Sequence, residues 1–250
     1  MRKNSFILLL VFLTSFALLS AQSPDPNTPE GMNALRKAQS DPNALVYSKA
    51  TELHDWRTAI VALHHLLLKN PENVFLQDSL AALYYRTGEN EACQRWCAEI
   101  LAKRPKDLFL HQLAGQVAEE SGNLTLAVTH FEQLYAATRD PFFRYQVSSL
   151  QFQLGRYGEA GSNIESMLSD PQLAESAIHL DWENGGGDVP IHAALLNLRG
   201  NLELALNKEN LARKSFRAAL KLAPKFKLPR QNLNAIQAKH QQEREAMNDR

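Results

Sequence analysis

Cysteine is nearly absent from this chain: 250 residues hold two, Cys93 and Cys97. That excludes a disulfide framework and a cysteine-built metal site. Their spacing of four puts the Cβ atoms about 5–6 Å apart on a helix. A disulfide wants about 3.8 Å, so two small buried side chains are expected. Glycine and proline, 11 each, are too scarce for a collagenous or low-complexity chain. No charge of one sign prevails, with 27 basic and 27 acidic residues, so no basic field points to nucleic acid. Only one long apolar run exists, Phe6 to Leu19. It falls short of the about 20 residues a membrane span needs.

That run is preceded by Arg2 and Lys3 and followed by Leu19-Ser20-Ala21. A positive start, an apolar stretch and a small-residue end form the pattern of a cleavable secretory signal peptide. Residues 1–21 are therefore expected to be removed after Ala21, giving a secreted or periplasmic protein with no stable membrane span. Losing two of the 27 basic residues against 27 acidic ones leaves a net charge of −2. Residues 22–39 begin with three prolines in ten positions, Pro24, Pro26 and Pro29. Proline breaks a helix interior, so a flexible lead-in is expected there.

From residue 40 onward, apolar residues recur at three and four, the helical period. A longer period lies over it. Gly88, Gly122 and Gly155 follow one another at 34 and 33 residues, and Pro71 and Pro105 are 34 apart. Each of these glycines, and Asn207 near the end, is followed five residues on by a small residue: Cys93, Ala127, Ala160, Ala212. Four residues later comes a larger one: Cys97, Phe131, Ile164, Phe216. Repeats of 20–50 residues signal a solenoid or array. One stretch, residues 172–192, breaks the period. Ile178, Leu180 and Trp182 alternate with polar residues, and Asn184-Gly185-Gly186-Gly187 supplies a turn, so a β-hairpin insert is expected.

These marks resemble the tetratricopeptide repeat, a helix–turn–helix unit of 34 residues. The last unit matches best, with Gly200, Ala212, Phe216, Ala219 and Pro224; the third contributes Gly115, Ala127 and Phe131. The fourth keeps Ala160 but has Ser148 for the small residue, and the first has Tyr47 there. The resemblance implies an all-α fold: a right-handed α-solenoid of about five helix–turn–helix repeats. Repeats 1–4 occupy residues 40–171 and repeat 5 residues 193–226, with the insert between them and a capping helix and tail over 227–250. In each inter-repeat turn the proline is expected to start the next helix, where its missing N–H is harmless.

The family's groove is lined by the first helix of each unit. Carried over, its positions are Phe75, Asp78, Tyr85 and Arg86 from repeat 2. Repeat 3 gives Phe109, Gln112, Gln116, Glu119 and Glu120. Repeat 4 gives Phe142, Tyr145, Ser149, Phe152 and Gln153, and repeat 5 gives Asn197 and Asn201. Phe75, Phe109 and Phe142 recur at 34 and 33, either as a column of rings along a groove or as packing between repeats. Aromatics and arginine carry much of the energy at protein interfaces.

Catalytic constellations are missing. Gly185–Gly187 is followed by no Gly-Lys-Ser/Thr, so a phosphate loop is not indicated. No nucleophile elbow, no His-Glu-x-x-His and no Cys/His pairing occurs. His64 and His65 are adjacent and point apart, one expected inside and one outside. Asn123-Leu124-Thr125 is a formal glycosylation sequon at a turn. The expected function is a non-catalytic scaffold that binds a peptide or protein segment and needs no cofactor or metal. The alternative is a small-ligand or glycan-binding module with Trp182 and the hairpin as a lid.

Overall fold

The computed structural model describes residues 41–182 and 185–248. The signal peptide and lead-in expected over residues 1–39 lie outside them. The chain divides into two compact units, and the division falls after Phe143. Among the described residues there are eleven α-helices, one short 3-10 turn and a two-stranded sheet. The first unit holds α1 (Pro42–Glu52), α2 (Trp56–Lys69), α3 (Val74–Arg86), α4 (Asn90–Lys103), α5 (Leu108–Glu120) and α6 (Leu124–Thr138). Helix α7 (Pro141–Gln153) begins in it and continues into the second unit. That unit adds α8 (Tyr157–Leu168), β1 (Ala177–Trp182), β2 (Gly185–Pro190), α9 (Ile191–Ala205), α10 (Glu209–Leu222) and α11 (Lys227–Asn248). The fold is all-α, of the α-solenoid class, with a small hairpin insert and a C-terminal helix packed on α10.

Local chemistry sets the helix ends. First helices α1, α3, α5 and α7 are opened by Asp41, Asn73, Asp107 and Asp140. Their side chains accept from the backbone N–H of Asn43, Leu76, Leu110 and Phe142 at 2.9–3.2 Å. Each satisfies a donor that the helix leaves unbonded, worth about 1 kcal/mol. Within pairs the turn residue is left-handed: Gly88 (φ 72°), Gly122 (φ 77°) and Gly155 (φ 73°), with His54 and Asn207 (both φ 58°) in the same place without glycine's freedom.

Most turn prolines depart from expectation. Pro141 starts α7 as expected, but Pro71, Pro105 and Pro224 do not start helices; each sits in the turn three residues before one. The reason lies in their carbonyls. Each is bonded by the side chain six residues on: Gln77 Nε2 at 2.6 Å, His111 Nε2 at 3.0 Å and Arg230 at 3.0 Å. The turn is thereby tied to the second turn of the helix it feeds.

In four of the five pairs, a small residue on the first helix stands sixteen positions before a larger one on the second. A Cβ added at Gly115 would lie 3.2 Å from the Phe131 ring, and one at Gly200 only 2.4 Å from Phe216. The equivalent Ala81–Cys97 and Ser148–Ile164 pairs divide the volume more evenly, and all four side chains are fully buried. The Ser148 hydroxyl is accommodated by donating to the Arg144 carbonyl at 2.8 Å. Tyr47 and Leu63 open the series, both buried in the core of α1–α3. Cys93 and Cys97 are reduced and buried, their sulfurs 4.0 Å apart, as small core residues.

The hairpin is antiparallel, and its register pairs Ile178 with Val189, Leu180 with Gly187 and Trp182 with Gly185. Gly185–Gly187 are therefore strand residues, not the turn that the sequence suggested. Burial of Ile178, Leu180 and Val189 fixes this register, because a one-residue slip would turn them to solvent. Gly187 leaves room for the Trp182 ring, whose edge would lie 3.3 Å from an added Cβ.

Candidate functional site

The proposed groove positions have divergent fates. Phe75 and Phe109 are half-buried, packed against the cores of α1–α3 and of α3–α5. Phe142 is buried, its ring edge-on to Phe143 at 5.5 Å, and Phe143 stacks with Phe131 at 6.3 Å. The phenylalanines at 34- and 33-residue spacing thus pack against the cores, Phe75 and Phe109 in part and Phe142 almost fully. Asp78 is half-buried and paired with Arg104, which also holds Asp107 at 2.6 Å. Burial raises the Asp78 carboxyl, against the pull of that guanidinium.

In the second unit the expected surface is mostly closed. Tyr145 is buried, and burial raises its hydroxyl. It presents no ring to a partner. Ser149, Phe152 and Gln153 are half-buried, with Phe152 against Tyr157 at 5.8 Å between ring centres. Asn197 is buried and Asn201 half-buried. Both accept from Asn232 Nδ2, at 3.1 and 2.9 Å, so α11 occupies the place beside them. Trp182 is half-buried against Phe226, 5.8 Å between ring centres. It therefore packs the hairpin onto the segment that leads into α11.

In the first unit a polar and aromatic face remains open at the C-terminal ends of α3 and α5. Arg86 is exposed and lies over the Trp56 ring at 4.2 Å, a cation–π contact. The Tyr85 hydroxyl donates to Glu120 Oε1 at 2.8 Å; burial and that acidic partner raise its pKa. Glu120 is exposed and Glu119 half-buried. Burial, and then the Glu120 charge, push the Glu119 carboxyl up to about 7. Gln112 and Gln116, earlier on the same helix, are buried.

Other expectations resolve plainly. His64 and His65 are both exposed, and His64 Nε2 meets the Tyr84 hydroxyl at 2.6 Å. Asn123 caps α6 by accepting from Leu126 N–H at 3.3 Å. An open depression of roughly 390 Å³ lies along second helices α2 and α4, beside His64, Leu68, Trp96 and Lys103. Sequence reasoning gave no sign of it, because its walls come from different repeats. No group of three or more metal-ligating side chains occurs among the described residues. No described helix is long and apolar enough to cross a membrane.

Residues 193–226, which are α9, α10 and the turn after them, match the family model of the tetratricopeptide repeat. No curated protein matches the chain. Among solved structures it is similar in fold to YrrB, described as a TPR protein with an unusual peptide-binding site. The TM-score is 0.61 at 12% identity, over 80% of this chain and 97% of that one. It is similar also to the MamA protein, with a TM-score of 0.58 at 15% identity, over 76% of this chain and 94% of that one. The chain thus has the fold of tetratricopeptide-repeat proteins, and residues 193–226 match that repeat by sequence as well.

Proposed function

We propose that this protein is an exported, non-catalytic scaffold that binds a segment of another protein on the first-helix face of its N-terminal unit. The observation that carries this reading is the set Arg86, Tyr85, Glu119 and Glu120. These side chains come from two successive first helices, with Arg86 and Glu120 exposed and Tyr85 and Glu119 half-buried, whereas Tyr145 and Asn197, groove positions of the second unit, are buried. Aromatic and arginine side chains at such places suit interface anchoring. The repeat fold agrees, since stacked helix pairs present extended surfaces for partners. The pattern of Arg2, Lys3 and the Phe6–Leu19 run supports export.

The test is site-specific photo-crosslinking in the exporting cell. A photoreactive residue at Arg86 should give a discrete protein adduct. The same residue at Leu68, exposed on second helix α2, should give none. No adduct at 86, or the same adducts at both places, would remove the binding face from this surface.

A further inference from the structure

The C-terminal end of α5 holds acceptors that the unit satisfies only in part. Glu119 and Glu120 are adjacent in its last turn, and Gln116 lies one turn behind both, on the same face. Gln116 is 9% exposed, and its side-chain carbonyl has no hydrogen-bond partner. A buried unpaired acceptor costs about 1–3 kcal/mol, so its persistence calls for a donor from elsewhere. Among the described residues Glu119 makes no hydrogen bond or ion pair, and Glu120 has only the Tyr85 hydroxyl.

The surroundings add to the negative potential. A helix C-terminus carries about half a negative charge, and no basic residue stands in the last turn of α5. Arg86, next to Tyr85 on α3, is held over the Trp56 ring and forms no ion pair. Two carboxyls, a carbonyl and a helix end thus share one face of the last turns of α5, and no described cation pairs with them.

We propose that this cluster is the subsite for a lysine or arginine side chain of the bound segment. The cationic head would lie between the Glu119 and Glu120 carboxylates and donate to the Gln116 carbonyl. Tyr85, by donating to Glu120, fixes the second carboxylate in place. Burial, and then the Glu120 charge, raise the Glu119 carboxyl, and a cation seated beside it would draw it down again. A carboxylate-bearing segment is excluded from this place by like-charge repulsion, which sets the direction of specificity.

The inference rests on the peptide-binding reading, and one experiment separates the two. A display library of random twelve-residue peptides is panned on the full mature chain at pH 8. Retained peptides should be enriched in Lys or Arg at one position. A selected peptide should bind at least ten-fold more weakly to E119Q and to E120Q. Glu132, exposed on α6, provides the control: E132Q should leave the affinity unchanged. Thermal melts of the near-isosteric Gln variants establish that the fold is kept. Retained peptides without basic enrichment, or with affinities indifferent to E119Q and E120Q, overturn the subsite and leave the binding face standing. No retained peptide overturns both.

Discussion

Replacing Gly200 by alanine isolates the contact on which the helix pair α9–α10 depends. The added Cβ would lie 2.4 Å from Phe216 Cε1, 2.7 Å from Cδ1 and 2.8 Å from Cζ. Carbon pairs prefer about 3.5–4.0 Å, so the ring or the helix must move by about 1 Å. Phe216 is fully buried beside Ala212 and Ile236 and has no solvent-facing rotamer to take. Overpacking of this kind costs about 1–3 kcal/mol. Alanine gains about 1 kcal/mol over glycine in a helix interior. The difference is a net loss of up to about 2 kcal/mol, expected near the upper end because the approach is so close. Gly115 serves as an internal reference: the same substitution meets Phe131 at 3.2 Å. A shift of a few tenths of an ångström relieves that, so the propensity gain should bring Gly115→Ala close to neutral. Both are measured by urea unfolding followed by circular dichroism. Phe216→Leu should partly rescue Gly200→Ala, with a coupling of about 0.5–3 kcal/mol in the double-mutant cycle. If Gly200→Ala is as stable as Gly115→Ala, or if no coupling appears, the close approach does not hold the pair together.

Three further outcomes are expected. His130 sits with its Nδ1 3.0 Å from that of His111, and burial followed by the His111 charge pushes its pKa down to about 4. The unfolded chain then binds more protons between about pH 6.5 and 4, so this group's contribution to stability is lost as pH falls through that window. Glu119, raised to about 7, acts in the opposite sense: the folded state binds the extra proton and gains stability as pH falls from 7 toward the ordinary carboxyl range. Glu119→Gln should therefore expose the His130 effect, a loss on the order of 1 kcal/mol between pH 7 and 5 after allowing for solvent screening; a flat profile in that variant would contradict the assignment. Gly122→Ala at φ 77° should cost about 1–2 kcal/mol, whereas Asn207→Gly at φ 58° should gain up to about 1 kcal/mol, both read by thermal melts; equal effects would mean that the turns are not conformationally selective. N-terminal sequencing of the protein recovered outside the cytoplasm should begin at Gln22, and an intact Met1 there would refute cleavage after Ala21.

The helix pairs and their turns are legible in the sequence because local chemistry sets them. Gly88, Gly122 and Gly155 mark left-handed turns that other residues enter at a cost, and Asn73, Asp107 and Asp140 satisfy the first amides of the helices they open. Each needs only its neighbours in the chain, so the repeat can be read residue by residue. The small residue five places after each turn and the larger one four places later were visible for the same reason, both lying on one helix.

The candidate site was not legible in this way. Helical spacing puts Tyr145, Gln116 and Asn197 on the same face as Tyr85 and Glu120. It does not say what another helix places opposite them. Asn232, 35 residues beyond Asn197, occupies one such place, and Trp56 takes up Arg86. The hairpin glycines were misplaced for a related reason: the register answers to burial of Ile178, Leu180 and Val189, not to the turn propensity of Asn-Gly. Sequence determined the backbone conformation, which is fixed by interactions within a few residues. Only tertiary structure decided which polar side chains still lack a partner, because hydrogen bonds and buried area belong to pairs of residues that the chain brings together from far apart.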